Sequence, residues 1–222
     1  MRMNLTELEI RILGCLMEKE LTTPEYYPLT LNALAAACNQ KSNRDPVLSL
    51  AESDLQRGLE ALGARGLARL TTTGGRVAKY VHSMGDKLGL DAPVRAVLAE
   101  LMLRGPQTAA ELRSRSERMT QVGDLAAVED ILLKLQQHGP PLVVRLPRQA
   151  GRKEARYAQV FAGMPELPEL PEEEPEQPGS APAPRVRPGN ERLEHLEQEV
   201  GALSQEIGEL RREVEELLAA FS

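Results

Sequence analysis

The sequence predicts a mainly α-helical protein with small β-hairpins, built from one unit used twice, a linker and a C-terminal coiled-coil helix. Three observations predict it. A pattern of three amphipathic helices followed by a hairpin runs twice through residues 1–162. Eight of the chain's 16 prolines fall in residues 163–189. Apolar residues over 190–222 then recur at alternating spacings of three and four.

The first unit, residues 1–88, opens with Thr6 and Glu9 spaced as a capping box ahead of Leu8, Ile12, Cys15 and Leu16. This is the apolar face of a helix. The loop TTPEYYPL separates it from a short helix in LTLNALAAAC. A third helix follows from Asp54 to Ala64, with Leu55, Leu59 and Leu62 on one face, and Gly66 ends it. Leu67–Leu70 and Arg76–Val81 read as strands joined at Gly74-Gly75.

The second unit, residues 89–162, repeats this order. Asp91 caps a helix with Pro93 in its first turn and Val94, Val97, Leu98 and Leu101 inward. Thr108 and Glu111 form another capping box, and a third helix begins after Asp124 with Val128, Ile131, Leu132 and Leu135 inward. Leu142–Leu146 and Glu154–Val160 make the hairpin. The passes align at a nearly fixed offset: Leu55/Ile131, Leu59/Leu135, Arg69/Arg145 and Leu70/Leu146 are 76 apart, and Lys79/Arg156 and Tyr80/Tyr157 are 77 apart. Self-similarity at that period means a duplicated domain. Three helices closed by a hairpin describe a winged helix, so two tandem winged-helix domains are expected.

Residues 163–189, rich in Pro and Glu, lack many amide donors and favour extended backbone, which makes them a linker. Over 190–222 the heptad places Leu193, Leu196, Val200, Leu203, Ile207, Leu210, Val214 and Leu217 in one stripe. Leucine at every d position and β-branched residues at three a positions favour a parallel homodimer.

The net charge of −6 divides unevenly. Residues 1–90 hold eleven Lys/Arg against ten Asp/Glu, and 91–162 hold eleven against eight. The linker holds two against six and the heptad segment three against nine. Acidity therefore sits in the tail, and local positive charge decides nucleic-acid binding. Aromatic residues at 3% give little material for stacking single-stranded bases. No apolar run is long enough to span a membrane, and no secretory core opens the chain, so a cytoplasmic protein is expected. Two cysteines without a CxxC, and three scattered histidines, give no metal-spaced cluster. No cofactor and no enzymatic activity are expected.

The stretch GCLMEKELTTPEYYPLTLNALAAACNQKSNRDPV resembles the YceH-like family of uncharacterised bacterial proteins, as do LMLRGPQTAAELRSRSERM and VVRLPRQAGRKEARY. The resemblance covers residues 5–162, and the family is also similar in carrying a coiled-coil tail. It implies a tandem winged-helix fold and names no reaction or ligand.

In a DNA-binding winged helix the third helix enters the major groove and the wing meets phosphate or the minor groove. The second wing carries Arg145, Arg148, Arg152, Lys153 and Arg156, and the first offers Arg76 and Lys79. Between the second and third helices of the first unit, Asn39, Gln40, Lys41, Ser42, Asn43 and Arg44 supply amides and cations. That run suits phosphate or a base edge; it equally suits a capped loop whose amides satisfy backbone groups. The third helices fit less well, because Glu129 and Asp130 would face phosphates. The expectation is a dimeric, DNA-associated protein, a candidate transcriptional regulator. The alternative is an adaptor that binds another protein on the same scaffold.

Overall fold

In a computed structural model, residues 3–71, 77–147 and 154–164 are described. They fall in one compact unit, Met1–Leu170. The linker from residue 165 onward and the heptad stripe Leu193–Leu217 expected as a dimer interface lie outside the described residues.

The chain runs α1 (Glu7–Thr22), β1 (Leu29–Thr30), α2 (Leu31–Cys38), α3 (Glu52–Ala64), β2 (Ala68–Thr71) and β3 (Lys79–His82). After a short α4 (Met84–Leu88) come α5 (Ala92–Arg104), α6 (Ala109–Ser116), α7 (Leu125–Gln137), β4 (Val143–Arg145) and β5 (Tyr157–Gln159). The described residues are mainly helical with two small antiparallel sheets, ordered β1-β3-β2 and β4-β5. The capping boxes at Thr6/Glu9 and Thr108/Glu111 form as read, and Asp91 and Asp124 cap α5 and α7. These are local signals three residues apart, and tertiary packing has little chance to override them.

Helix order and hairpin repeat, but the fixed offset does not. The inward residues of α3, Leu55, Gly58, Leu59 and Leu62, match Val128, Ile131, Leu132 and Leu135 of α7 one for one at 73, not 76. A slide of three residues is close to one helical turn, so it preserves the apolar pattern and hides in the sequence. The hairpins shift as well. Ser83 donates its amide to Leu67 and Val160 donates to Leu142, so the first strands correspond at 75 and the second at 77. The pairing of Tyr80 with Tyr157 therefore stands, whereas Arg145 takes the place of Leu70 rather than Arg69. A one-residue slip along a strand reverses the face, which gives this correction weight.

The core is continuous from Leu5 to Phe161 and crosses the boundary at residues 88–89 between the two passes. Leu5 donates its amide to the Phe161 carbonyl at 2.7 Å, joining the start of the first pass to the end of the second. The most extensive helix contact is between α1 and α5. Gly14 permits it: a Cβ there would stand 3.0 Å from Leu103 Cδ2 and 3.2 Å from Met102 Cβ. The two passes are thus halves of one core, with their first helices back to back.

Candidate functional site

The α1–α5 contact carries charge where apolar packing would be expected. Glu18 lies five residues before the C-cap Thr23 of α1, and Glu100 lies five before the C-cap Gly105 of α5. Both are almost wholly buried, at 1% and 0% exposure. Arg118, on the segment after α6, bridges them, with Nη1 2.6 Å from Glu18 Oε1 and Nη2 2.5 Å from Glu100 Oε1. Arg44 closes on Glu18 from the other side, with Nη1 3.1 Å from Oε1 and Nη2 2.5 Å from Oε2. Burial would push the Glu18 carboxyl up, but the hydrogen bond and charge of Arg44, then those of Arg118, hold it below its ordinary value. At Glu100 burial prevails over Arg118 and Arg104, and the carboxyl is pushed up.

This geometry decides the Asn39–Arg44 run. Arg44 is buried, and besides Glu18 it donates Nε to the Ala37 carbonyl at 3.0 Å and Nη2 to Gln40 Oε1 at 2.9 Å. A phosphate cannot reach a guanidinium so enclosed, and the expectation for Arg44 is corrected. Asn39 donates to the Leu50 carbonyl at 2.9 Å and accepts from the Leu50 amide at 2.8 Å. Asn43 has φ of 56°, and its Oδ1 accepts from Arg104 at 3.0 Å. With Gln40 occupied by Arg44, three amides serve the loop and the junction, and the capped-loop alternative describes them. Of the six residues of that run, Lys41 and Ser42 are exposed.

The hairpins are different. Arg69 on β2 and Arg145 on β4 are exposed, and the side chain of neither makes a hydrogen bond or ion pair with a described residue. Lys79 on β3 is half-buried. Arg156 is partly engaged: Nη1 donates to the Pro106 carbonyl at 2.6 Å and Nη2 lies 3.4 Å from Glu111 Oε2. Arg76, Arg148, Arg152 and Lys153 lie outside the described residues.

On the outer faces of the third helices, Arg57 pairs with Asp54 at 2.5 Å and Arg65 donates to the Met3 and Asn4 carbonyls. The outer face of α7 exposes Glu129, Asp130 and Lys134 beside Leu125 and Leu133. Cys15 and Cys38 are buried side by side, and their mutual hydrogen bond together with burial pushes the Cys38 thiol up. His82 is tied down: Nε2 lies 3.0 Å from Glu20 Oε2, and Nδ1 accepts from the Met84 amide at 3.1 Å. Among the described residues no group of three or more His, Cys, Asp or Glu could hold a metal ion. Nor is any helix there long and apolar enough to cross a membrane.

Sequence reasoning missed Glu18, Glu100 and Arg118. The available signal was phase, since each glutamate sits three residues after an inward residue, Cys15 or Val97, on its own helix.

Residues 5–152 match the model of a family described as a protein of unknown function, DUF480. The chain is 73% identical over 226 residues to a UPF0502 protein of Citrifermentans bemidjiense, covering 100% of both. It is 64% identical over 210 residues to a UPF0502 protein of Geotalea uraniireducens, covering 91% of each. To a UPF0502 protein of Geobacter sulfurreducens it is 51% identical over 203 residues, again covering 91% of each.

Proposed function

The chain belongs to DUF480, a family of proteins of unknown function, and from that premise we propose a non-enzymatic, cytoplasmic tandem winged-helix protein that meets duplex DNA through its hairpins. The order of three helices and a hairpin, present in each half, supports the winged-helix reading. The observation that carries the DNA reading is the contrast among arginines. Arg44 and Arg118 are consumed by buried carboxylates, while the side chains of Arg69 and Arg145 stand exposed with no hydrogen bond or ion pair to a described residue. Arg76, Arg148, Arg152 and Lys153 fall in sequence between the two strands of each hairpin. Guanidinium groups on such strands suit phosphate oxygens. Contacts of this kind set position and affinity without reading sequence.

Duplex binding measured against salt tests this. Each phosphate contact adds about 0.9 to the log–log slope. Arg69→Ala and Arg145→Ala together flatten it by about 1.8 if both groups touch phosphate. A slope unchanged in the double variant defeats the reading.

The heptad pattern supports a parallel coiled-coil dimer as the form that binds. Leu203→Asp would bury an unpaired charge at a d position, and light scattering then reports a monomer. A variant that stays dimeric places the contact elsewhere.

One observation favours the adaptor reading. Leu125 and Leu133 are 44% and 49% exposed on the outer face of α7, next to Glu129 and Asp130. Carboxylates and leucines at the position of a recognition helix suit a protein surface better than a groove lined by phosphates. Leu133→Asp leaves duplex affinity unchanged and abolishes partner cross-linking in cells if this face is the working one.

A further inference from the structure

The two buried glutamates are not equivalent in their partners. Both oxygens of Glu18 are engaged, by Arg44 and Arg118. Glu100 is bound only through Oε1, and its Oε2 is buried without a hydrogen-bond partner. Arg44 has no exposed side-chain surface, whereas the side chain of Arg118 is 30% exposed. Both carboxylates of the bridge are thus sealed, and Arg118 between them is the member that reaches solvent.

We propose that the Glu18–Arg118–Glu100 bridge is a latch released by one proton: uptake at Glu100 frees Arg118 from α5 and loosens residues 117–124 from the core. A buried carboxylate oxygen with no donor is the place where a proton relieves the largest desolvation cost. The charged groups facing Glu100 are few. They are Glu18 from α1, Arg118 from the segment after α6, and Arg104 from the end of α5 itself. Glu129, Asp130 and Lys134 of α7 are all exposed, and β5 contributes no charged residue. With Glu100 ionised, the two arginines that bond Glu18, Arg44 and Arg118, have two carboxylates to share. Once Glu100 is neutral, they face Glu18 alone, and Arg118, the one near solvent, is the arginine that leaves. Arg118 lies between α6 and α7, so its release acts on the segment leading into α7. Burial raises the affinity of Glu100 for the proton, the direction that favours uptake there.

The test follows carboxyl carbon-13 signals of the full chain against pH, together with amide exchange corrected for the intrinsic rate. Glu100 is expected to titrate above the ordinary carboxylate range. Protection over 117–124 should fall roughly tenfold across the same midpoint, the scale of one lost charge-assisted hydrogen bond. Glu100→Gln, a neutral mimic, should show the lower protection at every pH. Should that variant fail to fold, the coincidence of the two wild-type midpoints remains the criterion. The idea is overturned if Glu100 titrates at or below the ordinary range. Protection that stays flat across its midpoint, or a pH step that persists in Glu100→Gln, overturns it equally.

Discussion

The junction between the two passes and the hairpins that end them use the same residue, arginine, in opposite ways. At the junction Arg44 and Arg118 are packed against Glu18 and Glu100, with contacts of 2.5–3.1 Å. On the hairpins Arg69 and Arg145 extend from strand edges into solvent. The first pair holds two helices together, and the second is available to something else. A cation's chemistry here is set by what the fold brings opposite it, and substitutions should separate the two classes by size and by kind.

The largest effect belongs to Arg44. Replacing it with Met keeps the stem and removes the charge, leaving Glu18 buried with Arg118 at 2.6 Å and the more distant Lys19 at 3.9 Å as its counter-ions. Breaking a buried pair from one side costs about 3–5 kcal/mol. Thermal melting should show a fall of that order, and duplex affinity measured well below the new midpoint should be unchanged. A stable variant that loses DNA binding would break the comparison, because Arg44 would then belong with the hairpin arginines.

Asn39→Ala comes next. It removes both bonds to Leu50 and leaves a half-buried amide and carbonyl without side-chain partners. The cost expected is about 1–3 kcal/mol, again by melting, with the salt slope of binding intact.

The junction was poorly legible in the sequence for a physical reason. Glu18 and Arg44 are 26 residues apart and Glu18 and Arg118 are 100 apart, so no local pattern links them. The helix caps were legible because their donor and acceptor lie three residues apart. The recurring order of helices and hairpin was legible in outline, since apolar periodicity marks each helix. Its offset was not, because a shift of about one turn, from 76 to 73, leaves the pattern of α7 intact. The Asn39–Arg44 run admitted two descriptions in the sequence, a ligand grip and a capped loop. Only the position of Leu50 and Glu18 chose between them.

Arg156 sits between the two classes and sharpens the division. It belongs to the second hairpin, yet it donates to the Pro106 carbonyl and pairs with Glu111, itself part of the capping box of α6. With side chains 27% and 31% exposed, that pair is weakened by solvent, and Arg156→Ala should cost about 1 kcal/mol or less. Its contribution to the salt slope should be smaller than that of Arg145, because Pro106 and Glu111 compete for the guanidinium. A full unit of slope lost on Arg156→Ala would mean that DNA displaces both partners.

The smallest structural effect is expected where the functional effect is largest. Arg69→Ala and Arg145→Ala remove no side-chain hydrogen bond or ion pair with a described residue, so melting should move by no more than about 0.5 kcal/mol in stability. What should change is the salt dependence of duplex binding, by about 0.9 in slope for each arginine that neutralises a phosphate. The two need not contribute equally. Arg145 occupies the strand position that Leu70 holds in the first hairpin, so the two arginines leave their sheets at different registers. If both hairpins lie on the duplex in the same manner, only one arginine can meet the backbone squarely, and the other single variant will show a slope loss well under 0.9. Equal losses would mean that the hairpins approach the DNA differently, each orienting its own arginine toward a phosphate.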